Sequence, residues 1–486
     1  MTSRAASVVL WLIVVASQAA TTARAQDHQY WTNQYGPRST MLGGAAVAGA
    51  GDTSGIIYNP GGLGYNDGGG IDVNANAWRI GHIILRDGAG SGGHLEVSPI
   101  TQVPLLLAGV VRIDEWPETR LALALTARSL FSFAASSRIT QNVDVIASEA
   151  GIESYTGQYT FATNLNEIHL AGAVGHRVSR TVSFGLSMFG ALRTQSTTET
   201  ISVGAIAPSS SVSSYVDNRN VSLVHVRLIF KLGMEIEPVE NLRIGGAITS
   251  PGLGLIGSGS LSREITVNHV DLDTDGTADD AFGSALQSGL PVQWNSPFSI
   301  SAGAAWTADA NIHLMLAMEL FLPIDRYTTI APTAGTFEQS ATGLLPALDT
   351  AMRTTAAAGW VFNVGIGAEF VFEPYRPDTD PRGSQTGFTL RVGFRTDFTS
   401  ARDDAGATFE QGIASWDLFH FTIGLAVENR SNEFTVGFEF TIPGGTYRQH
   451  VTFDNPVEAN FMLGTPGRTP VGYLVIGLVI GYSRNF

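Results

Sequence analysis

Phe388-Thr389-Leu390-Arg391-Val392-Gly393-Phe394-Arg395-Thr396-Asp397-Phe398 is the stretch that decides how this chain is read. Apolar side chains stand at Phe388, Leu390, Val392, Phe394 and Phe398, with Thr389, Arg391, Gly393, Arg395 and Asp397 between them. A period of two sends neighbouring side chains to opposite faces, so this is a strand with one apolar and one polar face. The same pattern runs through Phe419–Val427, Phe434–Phe440, Val224–Ile236, Leu121–Arg128 and Trp360–Phe372. Strands of soluble sandwiches alternate too, but over about 5–6 residues. These run about twice as far, close to the 9–11 residues of a tilted strand crossing a bilayer.

Composition agrees. The 486 residues are 44% hydrophobic and only 15% charged, with 55 Gly and no Cys. A soluble domain carries about 25% charged residues. Without Cys there is no disulfide framework and no thiolate metal site. A net charge of -15 argues against a nucleic-acid partner, which wants a basic face.

Residues 1–25 read as a cleaved export signal. Arg4 precedes an apolar run from Val8 to Ala20, followed by Ala23-Arg24-Ala25, a small-x-small cleavage pattern. Beyond it no apolar run reaches the roughly 18 residues of a membrane helix. An exported, weakly charged chain of alternating strands is expected to be an all-β, antiparallel transmembrane β-barrel of the bacterial outer membrane.

Strands are expected at 70–86, 103–113, 119–134, 164–178, 180–195, 221–236, 240–249, 297–307, 311–323, 359–373, 387–399, 416–428, 433–442 and 471–486, about 14 in all, an even number as single-chain barrels require. Short connections alternate with long ones at 87–102, 135–163, 196–220, 250–296, 324–358, 400–415 and 443–470; 374–386 is long for its place. Leu344, Leu345, Leu348 and Met352 have helical spacing. The final strand ends in Phe486, which resembles the signal read by the barrel assembly machinery.

Residues 26–69 do not alternate, which leaves 70–486 for the barrel. Gly43, Gly44, Gly49, Gly51, Gly61 and Gly62 suit close backbone packing. Such a segment either folds back into the lumen as a plug or forms a simple turn into the first strand. Gly43–Leu63, with Gly43-Gly44, Asp52 and Tyr58-Asn59-Pro60-Gly61-Gly62-Leu63, resembles the N-terminal hatch of the FadL-type transporters of long-chain fatty acids and aromatic hydrocarbons. Asn295–Gly303 and Thr389–Phe394 are similar to strand motifs of that family. The resemblance implies passive passage of hydrophobic molecules across the outer membrane, with the hatch as gate and a lateral opening in the wall. On that reading Gly43, Gly44, Asp52, Tyr58, Asn59, Pro60 and Leu63 form the gate, the surroundings are lipid and lipopolysaccharide, and no enzymatic activity or cofactor is required. A general porin, and a family member that docks or assembles exported proteins, are the alternatives.

Asp271, Asp273, Asp275 and Asp279, with Gly276, have the alternating carboxylates of a Ca²⁺ loop. The bidentate Glu of an EF-hand is replaced by Phe282, and a solvated acidic loop is the other reading. Gly252-Leu253-Gly254-Leu255-Ile256-Gly257 matches a dinucleotide fingerprint by letter but lacks its strand–helix context.

Overall fold

A computed structural model describes residues 29–66, 69–333, 338–339, 344–345, 352–373, 386–402, 409, 411–429 and 431–485. The export signal, Leu348, residues 374–385 and Phe486 lie outside the described residues.

Along the chain the strands are β1 (Gly70–Leu85), β2 (Leu95–Val97), β3 (Ile100–Ile113), β4 (Trp116–Val143), β5 (Glu153–Ser179), β6 (Val182–Ile206), β7 (Val212–Val239), β8 (Leu242–Thr249), β9 (Leu253–Val270), β10 (Asp279–Pro291), β11 (Ser299–Asp309), β12 (Ile312–Phe321), β13 (Ile324–Ile330), β14 (Glu338–Gln339), β15 (Thr354–Ala358), β16 (Val361–Glu373), β17 (Gly387–Asp397), β18 (Asp417–Asn429), β19 (Asn432–Gly444), β20 (Thr446–Arg448) and β21 (Arg468–Asn485). Fourteen of them close the wall: β1, β3 to β8, β11, β12, β16 to β19 and β21, each antiparallel to its neighbours. The last joins the first, from Gly70↔Asn485 to Leu85↔Val471. Closure gives every wall strand a hydrogen-bonded neighbour on both sides, which a sheet in hydrocarbon requires. Every stretch expected to be a wall strand overlaps one of the fourteen.

The apolar face points outward. Leu121, Leu123 and Leu125 on β4, and Phe421, Ile423 and Leu425 on β18, are exposed on the outer surface, while Ala122, Ala124, Thr422 and Ala426 between them are buried inward. This belt is the lipid-facing surface of a membrane barrel.

The connections 135–163 and 196–220 differ from expectation. They are largely strand, because β4 to β7 run on for 25 to 28 residues each. The 250–296 connection likewise contains the β9–β10 hairpin. The physical reason is a polarity reversal within an unbroken ladder. On β6, Phe184, Leu186, Met188 and Leu192 point out while Ser187 and Arg193 point in; farther along, Thr198 and Ser202 point out while Ile201, Val203 and Ala205 are buried. The strand leaves lipid, and its apolar side chains change sides to build a second core. That core gathers Phe133, Tyr155, Tyr159, Phe161, Tyr215, Phe453 and Met462 under the connection between β19 and β21. Leu344, Leu345 and Met352 are described in no helix.

Candidate functional site

Residues 29–66 lie inside the barrel. Within them are two helical turns, α1 (Pro37–Met41) and α2 (Gly55–Tyr58), and a 3-10 turn at Pro60–Tyr65. The segment has little internal core of its own, and the wall holds it. The Trp31 amide donates to Asp397 Oδ1 at 2.8 Å and its indole to Glu319 Oε2 at 2.7 Å. Arg38 forks onto Glu369 at 2.9 and 2.6 Å, and Arg391 joins Glu369 to Glu433. Thr422 donates to the Met41 carbonyl at 2.8 Å.

Asn59 is the most heavily used residue of the gate expected from sequence. Its Nδ2 donates to the carbonyls of Val47 (2.8 Å) and Met234 (2.9 Å), and its Oδ1 accepts the Gly61 amide. Pro60 follows against β5 and β6, and Leu63 is fully buried. Tyr58 donates to Gln34 Oε1 at 2.7 Å and accepts the Tyr35 amide. Gly43 (φ 64) and Gly44 (φ 77) take the left-handed region, and a Cβ on Gly43 would stand 2.7 Å from the Phe394 carbonyl oxygen. Asp52 accepts the Ser54 amide at 2.9 Å; Thr53, next to it, bonds Asp72 of β1. Burial, with the Asp72 carboxylate beside it and Arg38 opposing, pushes the Asp52 carboxyl up to about 6.

Sequence reasoning missed a collar of wall glycines. A Cβ at Gly233 would overlap Asn59 Oδ1, at Gly185 the Pro60 carbonyl, and at Gly393 the Gly43 amide. At Gly175, Gly367 and Gly303 it would stand 2.6, 2.7 and 2.9 Å from Leu63, Leu42 and Val47. Gly424 and Gly437 make room for Met41 in the same way. The signal was legible: one glycine at an inward position near the middle of strand after strand.

Between the segment and the wall lies a cavity of about 160 Å³. Tyr30, Trp31, Tyr35, Val47, Ile57 and Tyr58 line one side; Phe189, Ile229, Trp294 and Phe321 add apolar surface opposite. Its charged lining is Arg128, Arg193, Arg227 and Lys231 with Glu167 and Glu319. Arg227 and Arg193 reach Glu167 at 2.6 and 3.3 Å, and the Arg193 guanidinium stacks 3.6 Å from the Trp294 ring centre. Lys231, the only lysine of the sequence, donates to the Ile57 carbonyl at 2.8 Å.

Solved structures share this architecture. A FadL homologue of Pseudomonas aeruginosa superposes with a TM-score of 0.56 at 11% identity, covering 94% of this chain and 100% of that one. The fold is FadL-type. The toluene transporters TodX of P. putida (0.53, 15% identity, 93% and 99% coverage) and TbuX of Ralstonia pickettii (0.51, 11%, 93% and 98%) match similarly. No protein-family model and no curated protein matches the sequence.

In this FadL-type barrel the Gly252–Gly257 run lies in the wall, not at a nucleotide. Pairing of β8 with β11 ends at Thr249↔Ser299, and pairing of β9 with β10 begins at Ser258↔Pro291. Between these limits β9 pairs only with β7 among the described strands, and Leu253, Leu255 and Ile256 are more than half exposed. Trp294, Asn295, Ser296 and Pro297, which line the cavity, pass this interruption.

Of the four acidic loop residues, Asp271, Asp273 and Asp275 bring carboxylate oxygens within 4.8 Å of one another. Asp279 is not part of that group and accepts the Leu272 amide instead. The Asp271 oxygens already accept the amides of Asp275 and Gly276, and Asp273 shares the Asp275 amide, so these bonds alone account for the turn.

Proposed function

We propose that this protein resides in the bacterial outer membrane and carries hydrophobic compounds through a plugged barrel by passive diffusion. The observation behind this reading is the partly open cavity between residues 30–58 and the wall, aromatic and aliphatic on most of its surface. An apolar cavity of about 150 Å³ suffices for one benzene ring, so the site fits a monoaromatic ring or the head end of a longer chain. The neighbouring toluene transporters make hydrocarbons one ligand class. The four cations against two carboxylates in the lining favour a molecule with a carboxylate end, which makes fatty acids the other. A solute seated there leaves past residues 59–63, the gate, or sideways between β9 and residues 292–298. A general porin is the weaker reading, since residues 29–66 occupy the lumen.

Displacement of a fluorescent fatty acid from the purified protein by oleate, benzoate and toluene tests this. Saturable displacement at micromolar levels is the expected result. Lys231→Met should weaken oleate about tenfold, the equivalent of one modest charge-assisted hydrogen bond, and leave toluene unchanged. Absence of binding in protein shown to be folded by heat-modified gel mobility would refute the proposal.

A further inference from the structure

The extension of β4 to β7 beyond the membrane belt carries an outer face that the transport reading does not use. On adjacent strands the change from apolar to polar outward residues falls on one line: Ile168 to Asn166 on β5, Leu192 to Thr194 on β6, and Val224 to Ser222 on β7. The ladder sets these residues side by side, with Asn166 opposite Thr194, Ser196 opposite Ser222 and Ser222 opposite Ser260. From that line outward, the exterior positions of β5, β6 and β7 carry no charge among the described residues. They are Ser, Thr, Asn and Gln, with a few small or aliphatic side chains. The neighbouring β4 adds only Arg138 and β9 only Glu264.

This is not a shortage of charge in the region. The inward faces of the same strands hold Glu153, Glu199, Asp217 and Arg263, all buried. A shallow, open depression sits at the foot of this face, lined by Asn164, Asn166, Thr194, Ser196, Ser222 and Ser258. Gly289 reaches its rim with φ 69 and open space around it.

We infer that this face docks the uncharged saccharide of the glycolipid in the outer leaflet. The inference rests on the outer-membrane placement proposed above, not on what the lumen carries. Position argues for it, because the uncharged outward positions run from the end of the lipid-facing belt over the whole length of the β5 to β7 extensions, past the acidic layer next to the lipid. Chemistry argues the same way. Hydroxyl and amide side chains on a pleated face offer both donors and acceptors, as sugar hydroxyls do. A phosphate would call for the Arg and Lys that the face lacks. A protein partner would call for the aromatic, Met and Arg anchors that these three strands do not present outward there.

The test uses full-length protein in phospholipid nanodiscs titrated with two lipopolysaccharides, one with a complete core saccharide and one truncated to lipid A and its first acidic sugars. Native mass spectrometry reads the bound lipid, and heat-modified mobility confirms folding. The complete core should bind at least tenfold more tightly than the truncated form. Thr198→Trp or Asn218→Trp, at exposed outward positions farther from the belt, should remove that difference while leaving truncated lipopolysaccharide bound as before. Equal affinity for the two lipids in the parent protein would overturn the inference, and so would a preference that survives both substitutions. Uptake of a hydrophobic probe, measured separately, reports on the transport reading independently.

Discussion

Asn59 stands where three backbone strands of different origin meet: the segment's own turn, its earlier Val47, and Met234 of the wall. Each buried hydrogen bond of this kind is worth about 0.5–1.5 kcal/mol, and an orphaned carbonyl costs more. Asn59→Leu removes all three and strands two carbonyls, so it should loosen the segment by several kcal/mol without touching wall pairing. Faster hydrogen exchange at residues 44–62, with wall strands unchanged, is the expected readout. Gly233→Val should act from the other side, since its side chain would occupy the space of Asn59 Oδ1. Asp52 adds a pH dependence. Its carboxyl, raised from 3.8 to about 6, holds its proton more tightly in the folded protein than in an unfolded chain. The segment is therefore held more firmly as pH falls from about 6 to 4, and that gain is lost as pH rises through the same window. Opening of the segment should be rarer at pH 5 than at pH 7, and Asp52→Asn should flatten the difference.

Among the elements, the wall was the legible part. Lipid demands one apolar face per strand, so Phe388 to Phe398 or Phe434 to Phe440 announces itself by period alone. The extensions of β5 and β6 were harder because their alternation continues with its polarity inverted: Tyr155, Tyr159 and Ile201 face inward where Glu167 and Arg193 did one turn of the pattern lower. Read as a single lipid-facing motif, the pattern ends where lipid ends. The lumen segment has no periodicity, so its residues were visible through a resemblance and through glycine content. The matching wall glycines make sense only once Asn59, Pro60 and Gly43 are seen against Gly233, Gly185 and Gly393. At this scale, deleting residues 30–66 should leave a barrel with heat-modified mobility and turn a closed lumen into a stable conducting pore in planar bilayers. Unchanged low conductance would show that another element closes the lumen. A finer version exploits the absence of Cys. A Cβ at Gly62 would stand 3.8 Å from that of Ala50, the mean spacing across a disulfide. Ala50→Cys with Gly62→Cys should form a bond that clamps the bend between α2 and Gly49, and its reduction should restore whatever motion the clamp stops.

As a whole molecule, the protein places charge where it meets water or itself and withholds it where it meets lipid. On β4 and β6 the exposed belt positions are apolar, while Arg120 and Arg193 on the same strands are buried inward. Inside, Arg38, Glu369, Arg391 and Glu433 form one connected set, and Arg395, bonded to Glu439, also donates to the carbonyls of Trp31 and Thr32. The lumen thus presents a polar shell around a partly apolar cavity, and the transport reading proposed above sets this against a water-filled channel. Its most direct test is uptake by cells expressing the protein in an outer membrane deprived of comparable transporters, with a labelled fatty acid, toluene and a hydrophilic sugar followed together. The account predicts faster entry of the fatty acid, of toluene or of both, with sugar entry unchanged. Accelerated sugar entry, or no acceleration of either hydrophobic probe with folded barrel at the cell surface, would contradict it.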